Sequence, residues 1–232
     1  VEDRLRLLEE IYRLFDERLK DFPTVCSPGC STCCTDRVFM STVEGYHVAR
    51  YLRVTGKEPL YRRLEDTVQT QRHRPSVTTN QLAALCMQGR EIPPQGPESV
   101  PTGCPFLSED TCPIYPVRPL ACRAVLSSRK CAPGGFALMD PFAVTLNDVF
   151  CQWIEHVDRP GWFGNMADVL LWTRDGPTAE PPPSALLRNM PIPALAVPPE
   201  HRRRMEPVLG RLLRLGNTRK GQAPLEGNTR RG

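Results

Sequence analysis

The stretch CSPGCSTCC at residues 26–34, read with GCPFLSEDTCPIYPVRPLACR at residues 103–123, decides how this chain folds. The first places Cys26, Cys30, Cys33 and Cys34 as C-x₃-C-x₂-C-C, and the second adds Cys104, Cys112 and Cys122. A thiolate is a soft ligand, and several must converge within a few ångströms to hold zinc or an iron-sulfur cluster, so short loops with repeated cysteines build such a site directly. The competing reading, a disulfide framework, belongs to small secreted chains that cannot bury a sufficient core. Residues 1–20, VEDRLRLLEEIYRLFDERLK, carry neither an apolar h-region nor a small-residue cleavage site, so a reduced, cytoplasmic setting is expected.

Working outward, 232 residues are enough to bury a core without metal as the sole source of stability. The net charge of +4 is unevenly spread: beyond His201 stand nine Lys or Arg against Glu206 and Glu226. That makes a near-neutral globule with a basic tail. No apolar run reaches the roughly 18 residues of a membrane span, so no membrane partner is expected.

Leu5, Leu8, Ile11, Tyr12, Phe15 and Leu19 recur at three- and four-residue steps and predict an amphipathic helix over 1–20. Pro23, Pro28 and Gly29 break it and leave 26–34 as irregular loop, whose backbone amides can point at anionic sulfur. Ser41 with Glu44 reads as a capping box opening a second helix that Gly56 ends. A third helix is predicted from Pro59 to about Arg74, and a fourth capped by Ser76 or Thr78. Residues 91–103 hold four prolines and two glycines and read as a loop returning to the cysteine region. The apolar residues of FALMDPFAVTLND (136–148) suggest a short strand pair, with helices resuming at 148–157 and 165–173. Eight of the 27 residues at 174–200 are proline, which points to an extended arm. The rest, 201–232, reads as a basic amphipathic helix and a disordered tail.

At CSPGCSTCC, CPFL and CPIYPVRPLACR the chain resembles the CxxxCxxCC cysteine-cluster family, the YkgJ-type zinc- or iron-chelating domain. The resemblance covers 26–123 and, more loosely, reaches Cys151. It implies metal or cluster binding by Cys26, Cys30, Cys33, Cys34, Cys104, Cys112 and Cys122. A distant likeness to the cluster region of flagellin lysine N-methylase further implies a link to S-adenosylmethionine.

Cys26, Cys30 and Cys33 also reproduce the C-x₃-C-x₂-C spacing of radical S-adenosylmethionine enzymes, but the alternating strands and helices of their barrel are missing. Zinc is the main rival to iron-sulfur, since Cys30 and Cys33 form one C-x₂-C hook. Ten cysteines suffice for two four-thiolate sites, which favours iron-sulfur, a 4Fe-4S cluster and as many as two centres. Adjacent Cys33 and Cys34 point apart in any regular backbone, so the pair should serve two irons of one cluster or two neighbouring sites. Cys86, Cys131 and Cys151 are the candidates for a second centre, each weighed against burial as a small hydrophobe. Arg118 and Arg123 can offset cluster charge or hold a substrate carboxylate, against the plainer reading of structural ion pairs. Tyr115 can donate to sulfur or substrate, or pack in the core. His156 is a lone histidine and a weak ligand candidate, while Trp153, Trp162, Trp172 and Phe163 read as packing residues.

The expectation is therefore a mainly α, small irregular helical domain at 1–173, its Cys-rich loops wrapped around a metal centre, with a short β pair. A Pro-rich arm at 174–200 and a basic helix and tail at 201–232 follow. The leading function is an iron-sulfur protein acting as a redox or S-adenosylmethionine-linked modification enzyme, an oxidoreductase or transferase. The alternative is a zinc- or cluster-stabilised binding module without catalysis, or an electron carrier. The partner is an unidentified protein or small molecule. Nucleic acid is disfavoured, although the basic tail can meet an acidic partner.

Overall fold

Helix α1 (Glu2–Leu19) turns its apolar stripe inward, burying Leu5, Leu8, Ile11, Tyr12 and Phe15 together with Leu7 and Leu14. The structure, a computed structural model, describes residues 1–67, 73–94, 101–132, 135–177 and 182–217. Helix α2 (Thr42–Val54) begins as its sequence predicts: Glu44 folds back so that its carboxylate accepts the Ser41 N–H at 3.0 Å. Its end is a Schellman turn. Gly56 adopts φ +66°, its N–H donates to the Arg53 carbonyl at 3.3 Å, and the Lys57 N–H donates to that of Leu52 at 2.8 Å.

A 3₁₀ turn (Glu58–Leu60) leads into α3 (Tyr61–Asp66), shorter than the helix predicted to Arg74, of which 68–72 lie outside the described residues. Thr78 rather than Ser76 caps α4 (Thr79–Met87), accepting from the Gln81 N–H at 3.1 Å while the Gln81 side chain accepts from the Thr78 N–H at 2.9 Å. Cys104 and Cys112 stand in the loop ahead of a 3₁₀ turn (Tyr115–Val117), and the single-turn α5 (Leu120–Arg123) carries Cys122.

The strand pair expected within 136–148 is not found. Pro141 instead stands in the first turn of α6 (Pro141–Val157), where its missing N–H costs nothing, and Asp140 caps it by accepting from the Phe142 N–H at 2.7 Å. Of the apolar residues there, Phe142 and Leu146 join Val149, Phe150 and Trp153 on the buried face of this helix, whereas Phe136 and Leu138 lie ahead of it and are exposed. The sheet is assembled from distant pieces: β1 (Phe39–Ser41), β2 (Trp162–Asn165) and β3 (Leu187–Arg188), antiparallel in the order β1-β2-β3. Asn165 ends β2 and caps α7 (Met166–Thr173), accepting from the Ala167 N–H at 3.0 Å. The fold is thus small and mainly helical, with one open three-stranded antiparallel sheet.

Two apolar cores sit side by side. The first joins α1 and α6 to α8 (Arg202–Asn217), whose Met205, Val208 and Leu212 are fully buried. The second gathers Met40, Val48, Leu52, Leu64, Phe106, Ile114, Met166 and Leu170, with Cys104 and Cys112 packed against its rim. It therefore forms the floor beneath the cysteine loops. Residues 178–181 of the proline-rich segment and the tail 218–232 lie outside the described residues.

Candidate metal centre

The two cysteine groups meet because their loops are stitched by backbone. Thr35 and Gly103 form an isolated antiparallel bridge, the Cys104 N–H donates to the Cys34 carbonyl at 3.1 Å, and the Asp36 N–H donates to that of Thr102 at 3.0 Å. Within the first loop, turns closed by Cys30 N–H to Ser27 (3.0 Å) and Cys34 N–H to Ser31 (2.8 Å) curl the chain so that successive thiols face one side, and Gly29 at φ +90° permits the reversal. The Ser31 hydroxyl donates to the Asp110 carboxylate and ties this loop to the tip of the second group, where Glu109 and Asp110 both have positive φ. The Ser127 N–H donates to the Cys26 sulfur at 3.3 Å.

The result is a cavity of about 340 Å³ whose wall carries Cys26, Cys30, Cys33, Cys34, Cys104, Cys112 and Cys122 together. Tyr115, Arg118, Arg37 and the hydroxyl residues Ser27 and Thr35 share that wall, with an aliphatic part formed by Val38, Leu107, Ile114, Val125, Leu126 and Met166. All ten cysteines of the chain are free, so none is in a disulfide. Among the described residues no three His, Cys, Asp or Glu side chains are grouped closely enough to hold a metal ion as they stand. The donor set itself suits a thiophilic metal: seven thiols, no histidine on the wall, and one carboxylate, Asp110, with one oxygen already engaged by Ser31.

The thiols are electrostatically coupled. A hydrogen bond between Cys33 and Cys34 pushes the Cys33 thiol above its usual range and draws Cys34 below it. Burial raises Cys104, Cys112 and Cys122, while the Arg118 guanidinium pulls Cys33, Cys112 and Cys122 back down. Ligation by a cation would reverse the effect of burial, because a metal-bound thiol is deprotonated outright.

The remaining sequence candidates lie elsewhere. Arg123 is buried, its guanidinium donating to Asp16 (2.8 Å) and to the carbonyls of Pro116 (2.9 Å) and Arg118 (2.8 Å), and stacked 4.3 Å from the Tyr12 ring centroid. Cys151 on α6 faces a separate space of about 20 Å³ beside Glu44 and Glu155. Cys131 sits in the loop between α5 and α6, and Cys86 is exposed on α4. None of these three lines the seven-cysteine cavity. His156 accepts the Ile192 N–H at 3.1 Å and stacks on Trp153.

One residue that positions the site is visible in sequence only as a cap. The second oxygen of Glu44 accepts from the Leu120 N–H at 2.8 Å and the Tyr12 hydroxyl at 2.7 Å, so a buried carboxylate fastens the turn bearing Cys122 to α1 and α2. The capping-box spacing revealed half of this role. The pairing with Leu120 has no local signal.

Loops of a small, mainly helical protein that gather seven cysteines onto one cavity define a cysteine-cluster protein. Residues 25–152, more than half of the 232, match the CxxCxxCC family, described as “Putative zinc- or iron-chelating domain”, and the chain belongs to that family. No curated protein and no solved structure matches the chain. Among the described residues no helix is long and apolar enough to cross a membrane.

Proposed function

We propose that this protein is a metal-binding module in which Cys26, Cys30, Cys33, Cys34, Cys104, Cys112 and Cys122 hold a thiolate-ligated centre of iron or zinc. One observation carries the reading: loops on either side of residues 35–103 bring all seven thiols to a single wall. Seven donors exceed the four of a structural zinc site, which supports a polynuclear centre, foremost an iron-sulfur cluster. Bound there, the metal would cross-link loops that have little regular structure of their own, and the rigid loop surface would then serve partner binding. Family membership supports zinc or iron alike.

The test is anaerobic purification of the full chain with iron, zinc and acid-labile sulfide measured per polypeptide. Metal bound in whole-number proportion is expected, with sulfide if the centre is a cluster. Cys33→Ser should lower that proportion or its retention against a chelator, whereas Cys86→Ser, remote from the cavity, should leave both unchanged. A chain free of iron and zinc would refute the reading.

A redox or S-adenosylmethionine-linked enzyme is the second reading, favoured by aliphatic cavity wall beyond the sulfur donors. It requires an open coordination position. Addition of S-adenosylmethionine to the reduced protein would then change its EPR spectrum, and an unchanged spectrum would leave the non-catalytic module.

A further inference from the structure

Arg118 stands out among the residues of the cavity wall. Its segment is held rigid by sequence: Pro116 lies within the 3₁₀ turn, and Pro119, the N-cap of α5, confines Arg118 to the extended conformation observed, φ −55° and ψ 142°. The Arg118 carbonyl is fastened by the Arg123 guanidinium at 2.8 Å. Its own guanidinium carbon lies over the Tyr115 ring, 3.8 Å from the centroid, a cation–π contact that braces the fork.

That fork has donors to spare. The Nε of Arg118 is buried without a hydrogen-bond partner, and among the described residues no carboxylate pairs with the side chain. Arg123, five residues on, differs in each respect, since Asp16 and two carbonyls occupy it. Across the cavity Leu107, Val125, Leu126 and Met166 offer no acceptor, and one oxygen of the only carboxylate on the wall, Asp110, already accepts from Ser31. A buried donor without a partner is costly. An acceptor from outside the chain, or an ionised thiol, would satisfy it.

We propose that Arg118, braced on Tyr115, is the anchor of a ligand subsite for a small aliphatic carboxylate, whose chain lies along the aliphatic wall beside the seven cysteines. A planar carboxylate matches the guanidinium fork with two parallel hydrogen bonds, and a short hydrocarbon chain matches the wall. The subsite rests on the proposed metal-binding reading only in that the bound molecule would lie next to the centre.

The probe is hexanoate, titrated by calorimetry into the anaerobically purified full chain, with hexanamide as its uncharged counterpart and metal content measured on the same sample. Hexanoate should bind, hexanamide should bind at least about tenfold more weakly, and R118Q should weaken hexanoate by a similar factor. R118K keeps the charge but loses the fork, and an intermediate affinity is expected; it also serves should R118Q fail to fold by circular dichroism. A guanidinium that only offsets sulfur charge predicts equal binding of acid and amide, which would overturn the subsite. So would hexanoate binding that survives R118Q or R118K undiminished, or none at all. Hexanoate binding by a metal-free chain would leave the subsite standing and remove the metal centre instead. A metal-loaded chain that ignores hexanoate would do the reverse.

Discussion

The imidazole of His47 packs edge-on to Tyr12, ring centroids 5.8 Å apart, and burial pulls its pKa from 6.5 down to about 4. Glu9 on α1 opposes that shift, while Arg50 on α2 and Arg123 on α5 add to it. The folded pKa lies below the unfolded one, so between pH 6.5 and about 4 the unfolded chain binds the proton more readily. Stability supplied by the neutral ring is present above pH 6.5, falls as the pH drops to about 4, and is then spent. The melting temperature should decline across that window by the equivalent of roughly 3 kcal/mol, a pH titration of thermal unfolding being the check. His47→Gln should flatten the decline, and a slope identical to wild type would assign it to other groups.

At the scale of the element, the start of α2 depends on a residue from the other end of α6. Asp158, the C-cap of α6, is fully buried and accepts from the Ser41 hydroxyl (2.6 Å), the Thr42 hydroxyl (2.7 Å) and the Val43 N–H (2.9 Å), with Arg4 of α1 as its ion-pair partner. Its charge complements the positive end of the α2 dipole. Burial nonetheless holds its pKa above the usual carboxylate range, against the lowering by those hydroxyls and Arg4. Asp158→Ala would leave several buried donors unmatched and should cost on the order of 3 kcal/mol, measured by urea denaturation. Since β1 runs straight into α2, the loss should also loosen the segment that follows the first cysteine group.

For the whole molecule, the question is what the last quarter of the chain contributes. Met205, Val208 and Leu212 of α8 are buried against α1 and α6, and burying each is worth about 1.5–3 kcal/mol. A chain ending at 173 would expose the opposing faces of both helices. Its melting temperature should fall by about 10 °C or more relative to the full chain, as followed by circular dichroism. Metal content of the same truncated chain tests whether 1–173 is a self-sufficient metal-binding unit. Retention would support the division at 173, and loss would show that the C-terminal residues belong to the folding unit of the site.

Local physics made much of this protein legible from its sequence. The stripe of α1, the Ser41–Glu44 cap, the Gly56 stop, the Thr78 cap and the α7 segment each depend on residues within a few positions of one another. The family was equally legible, because its cysteine spacings are themselves short-range. The strands were not: three short segments, β1, β2 and β3, are strands only by pairing with one another, and the apolar run at 136–148 yielded to a proline-started helix facing a core. Sequence likewise nominated Arg118 and Arg123 on equal terms. Tertiary structure separated them by placing Asp16 beside one and the cysteine cavity beside the other. Spacing along the chain determined which residues could share a local turn or a helix face; which thiols, charges and carboxylates meet across the chain was decided by packing, because those contacts form only when two cores bring distant loops together.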